Sequence, residues 1–260
     1  MSGLSLIQIF GFCLFAALVL QAIAWLIAVR LKRVDIVDSF WGITFLVIII
    51  TLLIIDKDYS PSVILVSVLV TIWGMRLAAH IFSRFWRTKK QDIRYTEIMA
   101  GWPNNRPYLQ ALPRIFLLQA VLATLISLPV ILIHMYQPDL SLLIWIGAVV
   151  WLVGFWFEVV ADRQLAHFVA KGTGKTMSKG LWRYSRHPNY FGEIVMWLGI
   201  SLIALWAPNG WLGLVGLATI TVLIVFISGI PPAERRGQRR PDWAEYKRKT
   251  SILIPWPPAE

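Results

Sequence analysis

The residues best suited to chemistry lie in one run, Gly180-Leu181-Trp182-Arg183-Tyr184-Ser185-Arg186-His187-Pro188-Asn189-Tyr190-Phe191-Gly192-Glu193. It stands between a basic loop and a long apolar segment, where a cytoplasmic surface would meet a bilayer. Polar groups at such a boundary are costly to desolvate and mark a site by default. The guanidinium forks of Arg183 and Arg186 can grip a phosphate at two points. Pro188 suits the first turn of the helix that follows. A basic collar that only holds lipid headgroups would also carry the two arginines. Asn189 and Glu193 do not fit a collar, because one helical turn separates them and an acidic group is a poor lipid anchor. With Tyr184, His187 and Tyr190 beside them, the run reads as a site for a polyanionic ligand against the helix ends.

Three further constellations surround it. Glu158 and Asp162 lie one turn apart on one helical face. Lys171-Gly172-Thr173-Gly174-Lys175-Thr176 follows them. Its glycines are two apart and no strand precedes it, so it is a basic flap or a solvated linker rather than a nucleotide-hydrolysing phosphate loop. Earlier, Asp35 and Asp38 precede an apolar stretch, and Arg76, His80 and Arg84 recur every four residues as one polar stripe. Asp38 is an available counter-ion for Arg76 or His80, either as a structural pair or as part of a site. Asp92-Ile93-Arg94-Tyr95 adds polar groups on the same side. Near the C-terminus, Glu234-Arg235-Arg236 and Glu245-Tyr246-Lys247-Arg248-Lys249 precede Ile252-Leu253-Ile254-Pro255-Trp256, an apolar segment able to dock back and bring the basic residues over the site.

The elements that must position these groups are membrane helices. Of 260 residues 57% are hydrophobic and 15% charged, and several apolar stretches approach or exceed the roughly 20 residues that cross a bilayer. Spans are expected near Leu4–Val29, Ser39–Ile55, Ser62–Phe82, Pro113–Ile133, Ser141–Val160, Tyr190–Trp206 and Trp211–Ile230. No alternating ten-residue pattern suggests a barrel. The expectation is an all-α polytopic membrane protein, a seven-transmembrane-helix bundle forming a single integral membrane domain over residues 1–260. Of 25 lysines and arginines only Lys57 falls in a loop assigned to the outside, which places the N-terminus outside and the C-terminus in the cytoplasm. No basic residue precedes Arg30, so the first helix reads as an anchor rather than a cleaved signal. Cys13, the single cysteine, excludes an internal disulfide and a cysteine metal cluster. A formal charge of +11 suits anionic lipid and an anionic cytoplasmic ligand. Nucleic acid is disfavoured, since the basic residues are spread over several short loops.

These residues carry a resemblance. The chain looks like the bacterial branch of the steroid 5-alpha-reductase-like membrane family, most strongly from about Phe155 onward. The resemblance rests on the run 180–193, on Glu158 with Asp162, and on Tyr246 followed by Leu253-Ile254-Pro255. It implies a seven-helix bundle in the bacterial inner membrane that binds NADPH from the cytoplasm. The implied reaction reduces a carbon–carbon double bond conjugated to a carbonyl in an apolar substrate arriving from the bilayer. The cofactor-binding half would cover about 141–260 and the substrate half, more weakly matched, about 1–135. Carried over by position, the cofactor residues are Asp162, Tyr184, Asn189 and Glu193. Lys171, Arg183, Arg186, His187, Tyr190, Arg235, Arg236 and Tyr246 join them as neighbours or phosphate partners. In the substrate half the family keeps a glutamate and a tyrosine that polarises the carbonyl. Asp38 corresponds loosely to the glutamate, and His80-Ile81 stands where the family has His-Tyr, leaving Asp38 and His80 as the catalytic candidates. The family also has an asparagine where this chain has Glu158.

Two other classes compete. Arg186-His187-Pro188-x-Tyr190 is shared with integral-membrane methyltransferases that use S-adenosylmethionine, although those carry paired glutamates where Glu234 is followed by Arg235 and Arg236. A non-catalytic scaffold or lipid-binding protein would use the same polar clusters structurally.

Overall fold

The computed structural model describes residues 3–55, 59–103 and 106–259. Among these the chain is 77% helical and contains no strand. The α-helices are α1 Leu6–Leu31, α2 Val37–Ile55, α3 Pro61–Arg87, α4 Ile93–Ala100, α5 Pro107–Ala111, α6 Leu118–Ile126, α7 Leu128–Tyr136, α8 Leu142–Ala170, α9 Pro188–Ala204, α10 Leu214–Val222, α11 Ile230–Gly237 and α12 Trp243–Lys249. Among the described residues, six stretches are long and apolar enough to cross a membrane: Leu6–Leu31, Val34–Ile55, Pro61–Arg87, Pro107–Ile126, Leu142–Ala170 and Gly210–Gly237. This is an integral membrane protein. The remaining expected span corresponds to α9, whose 17 residues sit at the short end of the roughly 17–25 that cross a bilayer. The expected outer turn at Asp56-Lys57-Asp58 lies outside the described residues.

Local chemistry sets the boundaries. Ser5 and Gln8 cap the start of α1 reciprocally, each side chain accepting from the other's backbone N–H at 3.3 and 2.8 Å. Ser60 caps α3 with Pro61 in its first turn. The stretch of the fourth expected span is not one regular helix. Pro113 falls in a π-helical turn over Leu112–Leu117, and the helix breaks at Ser127 before Pro129, which has no N–H to continue the ladder. The fifth helix runs longer. Nothing interrupts it before Gly172 and Gly174, both with positive φ, so Asp162 lies two turns inside α8 rather than at its end.

The chain forms two compact units, Met1–Leu140 with Ala204–Gly216, and Ser141–Ile203 with Leu217–Glu260. In the first unit the buried Gln21 amide donates to Thr44 at 2.9 Å, joining α1 to α2. A Cβ on Gly74 would stand 3.0 Å from the carbonyl of Gly42, so α2 and α3 approach closely there. The turn between α1 and α2 is stitched to the end of α3 and to the loop after it. Arg33 forks onto Asp35, donates to the Phe85 carbonyl at 3.2 Å and lies over the Phe85 ring. Asp35 in turn accepts from the backbone of Asp92 at 3.1 Å. These bonds bring α4 to the start of α2.

In the second unit α8 and α9 run antiparallel through reciprocal glycine pairs. Gly147 meets Gly199 and Gly154 meets Gly192, and a Cβ at any of the four would lie within 2.5–2.6 Å of the opposite carbonyl. The seven-residue spacing in both helices puts two small residues on one face two turns apart, which lets backbones approach. Replacing Gly154 by Ala should therefore cost about 1–3 kcal/mol through overpacking. Gly11→Ala, where a Cβ meets nothing within 4 Å, should not destabilise. Heat-induced aggregation of the detergent-solubilised variants checks this, and equal melting of Gly154→Ala and wild type would contradict the close pairing.

Candidate functional site

The run 180–193 is an ordered, heavily braced segment. Gly180 has φ 60° and no room for a Cβ, because the Gln164 amide lies 2.5 Å from where it would be. The same amide accepts the backbone N–H of Leu181 at 3.0 Å. The indole of Trp182 donates to the Ala161 carbonyl at 3.0 Å. Trp182 also packs with Met177 against Ala161, so the C-terminal extension of α8 forms the floor of this segment. The loop before it is pinned by Thr176, whose N–H and hydroxyl both donate to the Asp242 carboxylate, at 2.9 and 2.7 Å. Lys171 and Lys175 on that loop are exposed.

The C-terminal segment docks on the run as the sequence suggests. Arg186 N donates to the Ser251 carbonyl at 2.8 Å, the Ser185 hydroxyl to the Leu253 carbonyl at 2.7 Å, and Trp256 N to the Tyr184 carbonyl at 2.9 Å. The Tyr246 hydroxyl donates to the Trp182 carbonyl at 2.6 Å, and burial pushes its pKa well up, keeping it protonated. Arg186 is buried at 7% exposure. Its Nε and Nη2 fork onto Glu234 at 3.0 Å each, and Nη1 donates to the carbonyls of Lys247 and Thr250 at 3.1 and 2.7 Å. Those bonds occupy at least four of its five donors. Arg186 is thus a brace between the run, α11 and α12 rather than an open phosphate fork. His187 Nε2 lies 2.9 Å from the same Glu234 and its ring stacks on Tyr190. Burial lowers the His187 pKa, outweighing the hydrogen bond to Glu234 that would raise it. The ring is neutral near pH 7, with Nε2–H donating to Glu234.

Pro188 opens α9 and sets Asn189 in its first turn. The Asn189 amide donates to Asp162 at 3.2 Å, while its Oδ1 is buried and accepts no hydrogen bond. Glu158, 3% exposed, lies one turn before Asp162 on α8. Glu193 lies one turn after Asn189 and is partly buried. Arg183, Tyr184, Arg235 and Arg236 have exposed side chains. Of the expected cofactor residues, the structure therefore joins Asn189 to Asp162 directly. It joins Arg186, His187, Tyr190 and Tyr246 into the brace, while Lys171, Arg183, Arg235 and Arg236 are exposed.

In the first unit Arg94 pairs with Asp38 at 2.7 Å. The hydroxyl of Tyr95 donates to the other oxygen of the same carboxylate. Asp92 fixes Arg94 with bonds of 3.1 and 3.0 Å. Burial raises the Tyr95 pKa, and the neighbouring Asp38 charge raises it further, so the phenol holds its proton. His80 lies on an exposed face of α3. Tyr95 was not singled out for a role by its sequence position. The available signal was Asp92-Ile93-Arg94-Tyr95 read as one unit, with a cation and a phenol adjacent after a capping aspartate.

A family defined only as a protein family of unknown function, DUF1295, matches residues 24–250. The chain belongs to the DUF1295 family. It is also 30% identical over 117 residues to the bovine 3-oxo-5-alpha-steroid 4-dehydrogenase 1, covering 42% of this chain and 40% of that protein. It is 37% identical over 67 residues to the steroid 5-alpha-reductase DET2 of Gossypium hirsutum, covering 25% and 24%. An uncharacterised protein of Schizosaccharomyces pombe is 22% identical over 238 residues, covering 78% and 69%. The DUF1295 chain spans 40% of the length of the bovine relative it matches. No solved structure matches it.

The brace has measurable consequences for the DUF1295 chain. Glu234→Ala strands a buried guanidinium and should cost about 3–5 kcal/mol of stability, and Arg186→Lys should destabilise as well, because an ammonium cannot fork onto Glu234. His187 binds its proton less readily folded than unfolded. Its contribution is therefore intact above the ordinary histidine pKa of about 6.5 and is lost as pH falls below it. Melting curves across that range should show an acid-side loss that flattens in His187→Gln.

Proposed function

We propose that this chain is a membrane-embedded, NADPH-dependent reductase of a carbon–carbon double bond conjugated to a carbonyl in an apolar, steroid- or lipid-like substrate. Its similarity to the bovine and cotton enzymes supports the reaction class. The observation that carries the cofactor assignment is the orphaned, buried Oδ1 of Asn189 beside Asp162. A buried acceptor without a donor is costly, and an acceptor next to a carboxylate suits the two N–H donors of a carboxamide such as that of the nicotinamide ring. NADPH, when bound, supplies a hydride. Asn189, Asp162 and Glu193 would orient its ring, and Lys171, Arg183, Arg235 and Arg236 would hold its phosphates. Tyr184 and Tyr190 would add contacts at the same mouth. Arg186, His187 and Tyr246 would keep that mouth in shape through Glu234 and the C-terminal segment.

Tyr95 and Asp38 are the proposed acid pair. Reduction of a conjugated carbonyl puts negative charge on the carbonyl oxygen and needs a hydrogen-bond donor there. The Tyr95 phenol stays protonated and here donates its one O–H to Asp38; on binding substrate it would turn that proton to the carbonyl oxygen, with Arg94 holding the Asp38 carboxylate. His80 is a second candidate acid, since imidazole exchanges protons near neutral pH. The substrate would enter from the bilayer. The N-terminus would lie outside and the C-terminus in the cytoplasm of a bacterial inner membrane, with α9 as the seventh span.

Cofactor-induced thermal shift separates these roles. Asn189→Ala should melt like wild type yet lose its response to NADPH. Tyr95→Phe should keep that response and lose turnover by roughly a hundred- to ten-thousandfold. NADPH should outbind NADH by about ten- to a hundredfold through its extra phosphate contact. A response to S-adenosylmethionine alone would favour methyl transfer. Reporter fusions after Lys57 and after Glu260 should report opposite sides of the membrane, and matching signals would overturn the topology.

A further inference from the structure

The C-terminal strap presents an apolar row that no membrane-spanning helix accounts for. Ile252, Ile254 and Trp256 are 47, 64 and 70% exposed, while the alternating Ser251, Leu253 and Pro255 are partly buried. This two-residue alternation is what an extended segment shows when one face is packed and the other is not. The row is held firmly. Backbone bonds pin the strap to Tyr184 and Arg186, and beyond it Ala259 N donates to the Lys249 carbonyl at 2.9 Å. Its anchor point, Tyr184 to Arg186, immediately precedes α9, whose apolar body starts at Pro188. The row therefore stands at the level where that helix leaves the aqueous side.

We infer that the outward face of the strap, Ile252, Ile254 and Trp256, is an interfacial anchor that inserts into a bilayer surface rich in anionic lipid. Lys247, Arg248 and Arg183 are exposed beside it. The one acidic neighbour on α12, Glu245, is already paired with Lys249 at 3.0 Å. A tryptophan with aliphatic neighbours and flanking cations has the composition of an interfacial anchor. A second copy of the chain fits less well. It would bring like charges together, and three side chains fall short of the roughly 800 Å² per partner in a stable protein interface.

The test places nitroxide labels on the full chain in lipid nanodiscs, using a Cys13→Ala background with Ile252→Cys, Ile254→Cys or Trp256→Cys. In discs containing phosphatidylglycerol the three labels should collide freely with oxygen and be shielded from a water-soluble nickel chelate. Discs of phosphatidylcholine alone should shift them toward nickel access, as should Lys247→Gln with Arg248→Gln in the anionic discs. Full nickel access at all three positions in anionic discs would overturn the inference. So would equal immersion in both lipid compositions, or dipolar broadening between labels at position 254, which would assign the face to a second copy. These positions are exposed, so the variants should fold, and unchanged melting curves confirm it.

Discussion

A guanidinium buried in protein has to find an acceptor for each donor, and the second unit is arranged around that requirement at Arg186. Its fork takes both oxygens of Glu234 and its remaining amino group takes two carbonyls at the end of α12. Removing either partner would leave a buried charge uncompensated. One side chain thus joins three parts of the chain that lie far apart in sequence. The neighbouring bonds of Ser185, His187 and Tyr246 follow the same line, so that the segment before α9 has little freedom.

That rigidity matters because Asn189 is the third residue after Arg186. The brace fixes where α9 begins, and the glycine pairs fix how closely α9 lies along α8. Together they set the Asn189 amide against Asp162 and leave its carbonyl oxygen without a donor. An acceptor held in this way, with exposed cations on neighbouring segments, is what supports the proposal of a preorganised site there. The first unit uses a smaller version of the same device. Arg33 and Asp35 tie the loop after α3 to the start of α2, and Arg94 and Tyr95 thereby meet Asp38.

Much of this was legible in the sequence because membrane helices announce themselves by composition, and because polar residues at their ends are few. The run 180–193 and the docking of the C-terminal segment could be read in that way. Spacing was less informative about partners. Arg186 is as good a phosphate fork as Arg183 on sequence alone, and only the position of Glu234, 48 residues later, makes it a brace. Arg94 and Tyr95 meet Asp38 through a turn whose course depends on Arg33 and Asp35, which no periodicity encodes. The π-helical turn at Pro113 and the break at Ser127 before Pro129 could not be read from hydropathy, which ignores missing N–H groups. The glycine pairs were readable in principle, since positions 147 and 154 and positions 192 and 199 share one interval.

The central claim is that these residues serve hydride transfer to a conjugated double bond. Single-turnover reaction of the nanodisc-embedded protein with NADPH deuterated at the transferable position tests it most directly, using a lipid-soluble enone in the same disc. The saturated product should carry one deuterium, at the carbon beta to the carbonyl. A product without deuterium, or consumption of S-adenosylmethionine with a methylated product in its place, would contradict it.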